Sequence, residues 1–378
     1  LTKKGESLPF LNRDPEKTIF LFLAEITARE FHLDVTMKPE NRVRERGRKE
    51  MTPVPIHSTF VPPFGLRGPH LQTILSSLKI RARAEKQLDR DAREILVDAG
   101  EGVRLLGFFT GQRPGSSRGL ILLLHGWEGG SDSTYMMTTG GFLYRKGYDI
   151  FRLNLRDHGD SHHLNEGLFN SSLIEETHRA VQNIADTGAN PSLSIVGFSL
   201  GGNFAMRMAL RHSRYPIRNL HRVFAVSPVL DPRKATDAMD RGLFVYRSYF
   251  VKKWKQSLRK KQSLFPGRYD FDDLMGCQTL MEITDRILPR YSPYPTAQEY
   301  FETYTLTRRR FSELSVPLLV LTAADDPIIP VKDFLQLEGN HRLRVHVEQH
   351  GGHCGFLRNY RLQSWVPEFI HHTLLPSG

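Results

Sequence analysis

The stretch Ser194–Leu210, SIVGFSLGGNFAMRMAL, decides how the rest of the 378-residue chain is read. Its first half is an apolar run of strand character, and its second half carries apolar residues at helical spacing. Between them stands Gly197-Phe198-Ser199-Leu200-Gly201, a G-x-S-x-G pattern. The flanking glycines lack a Cβ, so strand and helix can close on a sharp turn that presents the Ser199 hydroxyl. A helix starting directly behind it favours developing negative charge. A capping serine after a buried strand is the plainer reading. The match of context as well as pattern favours a nucleophile.

A serine hydroxyl attacks poorly unless a base takes its proton, and the base needs a third group to orient it. For a nucleophile on such a turn the chain order is serine, acid, histidine. Downstream, HGGHCGF offers His350 and His353 just after the strand-like LRVHVEQH. His353 follows two glycines on a loop able to reach back across the sheet, whereas His350 stays with the strand end, so His353 is the expected base. Cys354 beside it reads as packing. For the acid, PLLVLTAADDPIIP (Pro317–Pro330) ends its apolar run on Asp325 and Asp326, and the residues alone leave the choice open. An acyl-transfer oxyanion needs two N–H donors. Leu200 supplies one. The loop after GLILLLHG, His125-Gly126-Trp127-Glu128-Gly129-Gly130, supplies the other, with Trp127 the expected donor. The same loop lacks the glycine and lysine spacing of a phosphate cradle.

From Arg93 the chain alternates apolar β-rich runs with helical patterns, as in a mainly parallel sheet covered by helices. EILVDA and VRLLGFFT read as an antiparallel pair, followed by six more strands: GLILLLHG, YDIFRLNLR, LSIVGFS, LHRVFAVSP, PLLVLTAA and LRVHVEQH. Helices are expected around 133–146, 171–186, 200–212 and 331–338, with a last one after 358. The interval from Pro228 to Pro317 is too long for a loop, so it should fold into helices over the end of the sheet. The expected organisation is a core of 51–230 and 313–378 with a helical cap at 231–312. Residues 1–50 are polar and end in KPENRVRERGRKE before a Pro-rich stretch from Met51, so the functional protein is expected to begin near Met51.

Four motifs carry a resemblance to a known family. The Pro-rich VPPFGLRGPHLQT, the loop HGWEGG, the elbow GFSLGGN, and AADDPIIP followed by GGHCGF are together similar to those of YheT-like esterases in the α/β-hydrolase superfamily. The resemblance covers Pro53 to the C-terminus. It implies an α/β-hydrolase fold, with a mostly parallel eight-stranded sheet, flanking helices and a helical cap between strands 6 and 7. It also implies a triad of Ser199, one aspartate of the pair and His353, working on acyl esters without metal or organic cofactor. In relatives the acid stands four residues before a proline, which Asp326 does and Asp325 does not. Asp325 is then expected to bond its turn or meet solvent. One departure is RDHGDSHH at Arg156–His163, whose Asp157, His158, Asp160, His162 and His163 resemble metal ligands on paper. Such loop histidines more often hydrogen-bond or face water, and the reaction needs no metal.

Composition narrows the setting. Hydrophobic residues at 39% and charged residues at 25% are those of a water-soluble globular chain, and two cysteines exclude a disulfide framework, so a cytoplasmic location is expected. The net charge of +11 concentrates in Arg241–Tyr269, where nine Lys or Arg and no acid are interleaved with Phe244, Tyr246, Tyr249, Phe250 and Trp254. Solvated charge over core aromatics is the ordinary form of such a run, and contact with an anionic membrane surface is the functional one. No nucleic-acid-binding motif accompanies it. The substrate expected is a small-molecule ester, medium-chain or lipid-like, with Leu274, Met275, Leu280, Met281, Tyr300, Phe301 and Tyr304 as candidates to line an acyl site. Transfer to an alcohol instead of water, and a non-catalytic receptor on the same scaffold, are the competing functions.

Overall fold

The computed structural model describes residues 60–188, 191–307, 309 and 311–375. The expectations for the first 50 residues and for a start near Met51 therefore lie outside the described residues.

All eight expected strands form: β1 (Arg93–Asp98), β2 (Arg104–Thr110), β3 (Leu120–Leu124), β4 (Asp149–Leu153), β5 (Leu193–Phe198), β6 (Leu220–Val226), β7 (Leu318–Ala323) and β8 (Leu343–Glu348). They make one sheet in the order β1-β2-β4-β3-β5-β6-β7-β8. β2 pairs antiparallel with β1 and β4, while every pair from β4 across to β8 is parallel. β3, β5 and β7 are buried along their whole length, which is why they read as unbroken apolar runs rather than alternating ones. Their side chains alternate between two cores. Leu122 and Leu124 enter one, Ile121 and Leu123 the other.

Helices cover both faces. We number those used below α1 (Pro69–Ser76), α2 (Thr134–Arg145), α3 (Ile174–Thr187), α4 (Leu200–Arg211), α5 (Pro232–Arg241), α6 (Phe244–Leu264), α7 (Leu280–Tyr291), α8 (Ala297–Tyr304) and α9 (Val366–Leu374). α3 and α4 give Ala180, Val181, Phe204 and Met208 to the first core; α2 and α9 give Met136, Leu143, Val366 and Ile370 to the second. Each fully buried Leu, Ile or Phe stabilises by roughly 1.5–3 kcal/mol, so the strand ends that carry the site are held by a rigid sheet.

α5 to α8 fill the long interval between β6 and β7, each opened by local chemistry. Asp231 caps α5 by accepting the Lys234 N–H, Thr279 and Glu282 form a reciprocal capping box on α7, and Thr296 caps α8 through the Glu299 N–H. Leu274, Leu280, Tyr300, Phe301 and Tyr304 are buried in the same core as α3 and α4. They pack this segment onto the sheet. Met275 and Met281 pack against that core from its edge. One boundary shifts. The helix expected over 331–338 ends at Leu335, while the last helix starts after 358 as expected, at Val366, beyond a loop in which Leu357 bridges to Ser364. Among the described residues, no helix is long and apolar enough to cross a membrane.

Candidate active site

β5 delivers Ser199 onto a turn with φ +52° and ψ −115°, and α4 begins at the next residue. The turn depends on its glycines. A Cβ on Gly197 would stand 2.1 Å from the Gly201 carbonyl oxygen, and one on Gly201 would stand 2.4 Å from that of Leu124. Neither position has room for alanine, so the G-x-S-x-G pattern is a packing requirement of strand against helix. The Ser199 N–H donates to the Val226 carbonyl at 2.9 Å, tying the turn to β6.

His353 comes from the loop after β8 and meets Ser199 across the sheet. Its Nε2 lies 2.9 Å from Ser199 Oγ, and its Nδ1 lies 2.9 Å from Asp326 Oδ2. The Asp326 side chain is fully buried, with Oδ1 accepting the N–H groups of Ile328 (2.8 Å) and Ile329 (3.0 Å). Those two bonds fix the carboxylate, so Oδ2 accepts the Nδ1–H of His353 and leaves Nε2 to receive the Ser199 proton. Asp325 does not simply close its turn or face water. Its Oδ1 accepts the Gly352 N–H at 2.9 Å, and its Oδ2 lies 3.6 Å from His350 Nδ1. Burial raises the Asp325 carboxyl pKa, while the Gly352 bond and His350 oppose the shift. Cys354, although next to His353, is buried with its thiol pKa raised by desolvation, as expected of packing.

The loop after β3 lies directly against the serine, since a Cβ on Gly126 would approach Ser199 Cβ to 3.2 Å. Its amides are mostly spoken for. Gly126 donates to Tyr135 Oη (2.8 Å), Gly129 to the Gly126 carbonyl (3.0 Å), Gly130 to Ser133 Oγ (3.0 Å) and Ser131 to Asn154 Oδ1 (2.6 Å). Among the described bonds this leaves the amides of Trp127 and Glu128 uncommitted. His125 bears on the first of these. It is fully buried, its Nε2 accepts the Leu155 N–H at 3.0 Å, and its Nδ1–H therefore donates to the Gly126 carbonyl at 2.7 Å. Desolvation pushes its pKa down to about 4, so the ring is neutral. In a trans peptide C=O and N–H point opposite ways, so fixing the Gly126 carbonyl also fixes the Trp127 N–H. Leu200 heads α4, where opening N–H groups have no acceptor within the helix. Glu128, also in this loop, has its carboxyl raised to about 8 by burial.

α1, from the Pro-rich motif, clamps the histidine loop. Thr73 Oγ1 accepts the His353 N–H at 2.9 Å. Gln72, fully buried, accepts the Leu357 N–H at 2.6 Å and donates to the carbonyls of Leu357 (3.2 Å) and Leu66 (2.5 Å). His70 Nδ1 lies 2.9 Å from Tyr246 Oη on α6. A Cβ on Gly352 would collide with the Pro69 carbonyl at 2.4 Å, so that glycine lets loop and helix touch. Sequence reasoning quoted HLQT without giving it work, and it also missed His125 and Tyr135.

The histidine-rich loop after β4 has other partners. Asp157 pairs with the fully buried Lys261 of α6 at 2.8 Å, and the same ammonium donates to the carbonyls of His162 (3.3 Å), Asn165 (2.5 Å) and Gly167 (3.1 Å). His162 Nε2 lies 2.8 Å from Ser257 Oγ, His158 packs between His125 and Phe169, and the exposed Asp160 pairs with Lys260. These contacts join the loop to α6. Nearby, Trp127 stacks on Phe250 at 5.7 Å and meets Trp254 edge-on at 5.0 Å, which puts an aromatic wall beside the loop after β3.

Comparison with known proteins agrees with this architecture. The pattern of the alpha/beta hydrolase family matches residues 121–362. An abhydrolase domain-containing protein of Dictyostelium discoideum is 26% identical, covering 81% of this chain and 78% of its own length. The phospholipase ABHD3 of Mus musculus is 23% identical, covering 64% of this chain and 59% of its own. The monoacylglycerol lipase ABHD2 of Danio rerio is 28% identical over 50% of this chain and 48% of its own. The chain thus spans well under two thirds of the two lipid-hydrolysing relatives. A family match reaching from β3 past the histidine loop, on a sheet of this order, shows that the chain belongs to the alpha/beta hydrolase family.

Proposed function

We propose that the protein is a serine carboxylic-ester hydrolase of the YheT-like branch, acting on medium-chain or lipid-like acyl esters through an acyl-enzyme. The observation that carries this reading is the relay from Ser199 Oγ to His353 Nε2 and from His353 Nδ1 to Asp326 Oδ2, 2.9 Å at each step. Ser199 Oγ attacks the ester carbonyl as His353 takes its proton, while Asp326 stabilises the resulting imidazolium. The carbonyl oxygen becomes an oxyanion, held by the N–H groups of Trp127 and Leu200; one such donor is worth about 10²–10³ in rate. Collapse of the intermediate breaks the bond to the alcohol, which leaves with the proton from His353. Water, deprotonated by the same imidazole, then releases the acid and restores Ser199.

A lipid-like acyl chain is supported by the aromatic wall of Trp127, Phe250 and Trp254, and by two relatives named as a phospholipase and a monoacylglycerol lipase. Both cysteines are free and buried, which suits work in a reducing compartment; our reading is the cytoplasm. The test is labelling with a fluorophosphonate probe, with the modified peptide identified by mass spectrometry. Wild type should label on Ser199, Ser199→Ala should not label, and His353→Ala should label far more slowly. Folded wild type that stays unlabelled would replace the hydrolase with a receptor. Hydrolysis of a series of p-nitrophenyl esters tests the chain length, and a strong preference for the shortest acyl group would sink that part.

A further inference from the structure

α6 divides its aromatics between two jobs. Tyr246, Phe250 and Trp254 follow one another at i, i+4 and i+8, with Tyr246 buried and the other two against Trp127. Tyr249, Lys252, Gln256 and Arg259 share another face and are all exposed. Phe244 opens the helix 66% exposed, and Tyr249 is 52% exposed. A third exposed aromatic, Phe64, stands 77% exposed ahead of α1. Such side chains are not needed by either core.

Both sets lie on elements that touch the Ser199 site. α1 touches the triad through Thr73 and the His353 N–H, α6 touches the oxyanion loop through Phe250 and Trp127, and His70 meets Tyr246 to join the two elements. Each exposed ring carries a cation: Arg67 lies 5.9 Å from the Phe64 ring, Arg247 5.5 Å from Phe244 and Lys253 5.7 Å from Tyr249. Neither α6 nor the stretch 60–84 contains an acid. Rings that favour the acyl boundary, paired with cations at phosphate height, are the elements of an interfacial contact with anionic lipid.

We propose that the protein docks on anionic lipid bilayers through Phe64, Phe244 and Tyr249, with Arg67, Arg247, Lys252 and Arg259 meeting the headgroups, so that the Ser199 site opens toward the membrane. The docking rests on the hydrolase reading only for what it delivers. Phe250 and Trp127 continue inward from Tyr249, whose ring lies 5.3 Å from Phe250, and give an acyl chain an aromatic path from the bilayer to the serine.

The full chain would be sedimented with phosphatidylcholine vesicles with and without phosphatidylserine, at low and high salt. Wild type should partition to the phosphatidylserine vesicles and be released by salt. Lys252→Gln with Arg259→Gln should weaken partition by about five-fold per charge removed, and Phe64→Ser with Phe244→Ser should weaken it at either salt. Thermal unfolding and fluorophosphonate labelling in free solution should match wild type in both variants. Failure of wild type to bind the anionic vesicles, or wild-type partition in both variants, overturns the proposal. Vesicle binding by a wild type that never labels would uphold the docking and reject the hydrolase.

Discussion

Asp325 and Asp326 share a turn but point at different atoms of the same loop. Asp326 orients the imidazole, and Asp325 holds the Gly352 amide one residue before it. Their substitutions should therefore separate. Asp326→Asn keeps an oxygen for the Ile328 and Ile329 amides but faces His353 with the wrong tautomer requirement, so kcat should fall by about 10³–10⁴ with KM little changed. Asp325→Asn retains an acceptor for Gly352 and should cost no more than about five-fold, the worth of a weakened neutral hydrogen bond. Steady-state kinetics on one soluble ester checks both, and equal losses would undo the assignment. The meeting of Ser199 and His353 was legible because a local motif and chain order specify the pair. The aspartate needed a family pattern, since adjacent side chains diverge in ways no spacing records. His125 and Tyr135 were illegible because their partners are backbone groups that only the folded loop presents.

At the scale of elements, strands were read almost without loss. Short apolar runs bounded by turn residues read as strands, and all eight formed. The helices after β6 were legible as helices, although a residue's periodicity does not say which surface it meets. α1 is the clearest miss. The segment was placed in the core but not read as a helix, and Gln72 contacts Leu357 across 285 residues. Gln72→Leu would leave the buried Leu357 N–H and two carbonyls without their partner, at about 1–3 kcal/mol for each orphaned group. Urea unfolding should show a loss of at least that size. The same variant should lower kcat on a soluble ester, since His353 and Leu357 share the clamped loop. Unchanged stability would mean the clamp carries nothing.

For the whole molecule, pH dependence follows from titratable groups held off their ordinary values. Burial lowers His125 and His162 to about 4, and it lowers His158 well below its ordinary value, with His125 adding to the effect. A group whose folded pKa is depressed contributes stability that is present above its unfolded value of about 6.5 and is lost as pH falls through the folded one. Stability should therefore drop between pH 6.5 and 4, by about 1–3 kcal/mol for His125 alone. Glu128 acts in the opposite sense. Raised to about 8, it favours the folded state fully at pH below about 4.5 and loses that contribution as pH rises to 8. Chemical unfolding across this range should show stability declining from pH 6.5 to 8, with Glu128→Gln flattening that limb. A wild type already flat there would contradict the burial of this carboxyl.

The contact between Gln72 and Leu357 also orders events in time. A ribosome makes Ser199 154 residues before His353, and at about 5–20 residues per second that interval lasts roughly ten to thirty seconds. Throughout it the nascent serine has neither its base nor the stretch around Leu357 on which α1 closes. Incomplete translation products would carry the elbow with no base beside its serine.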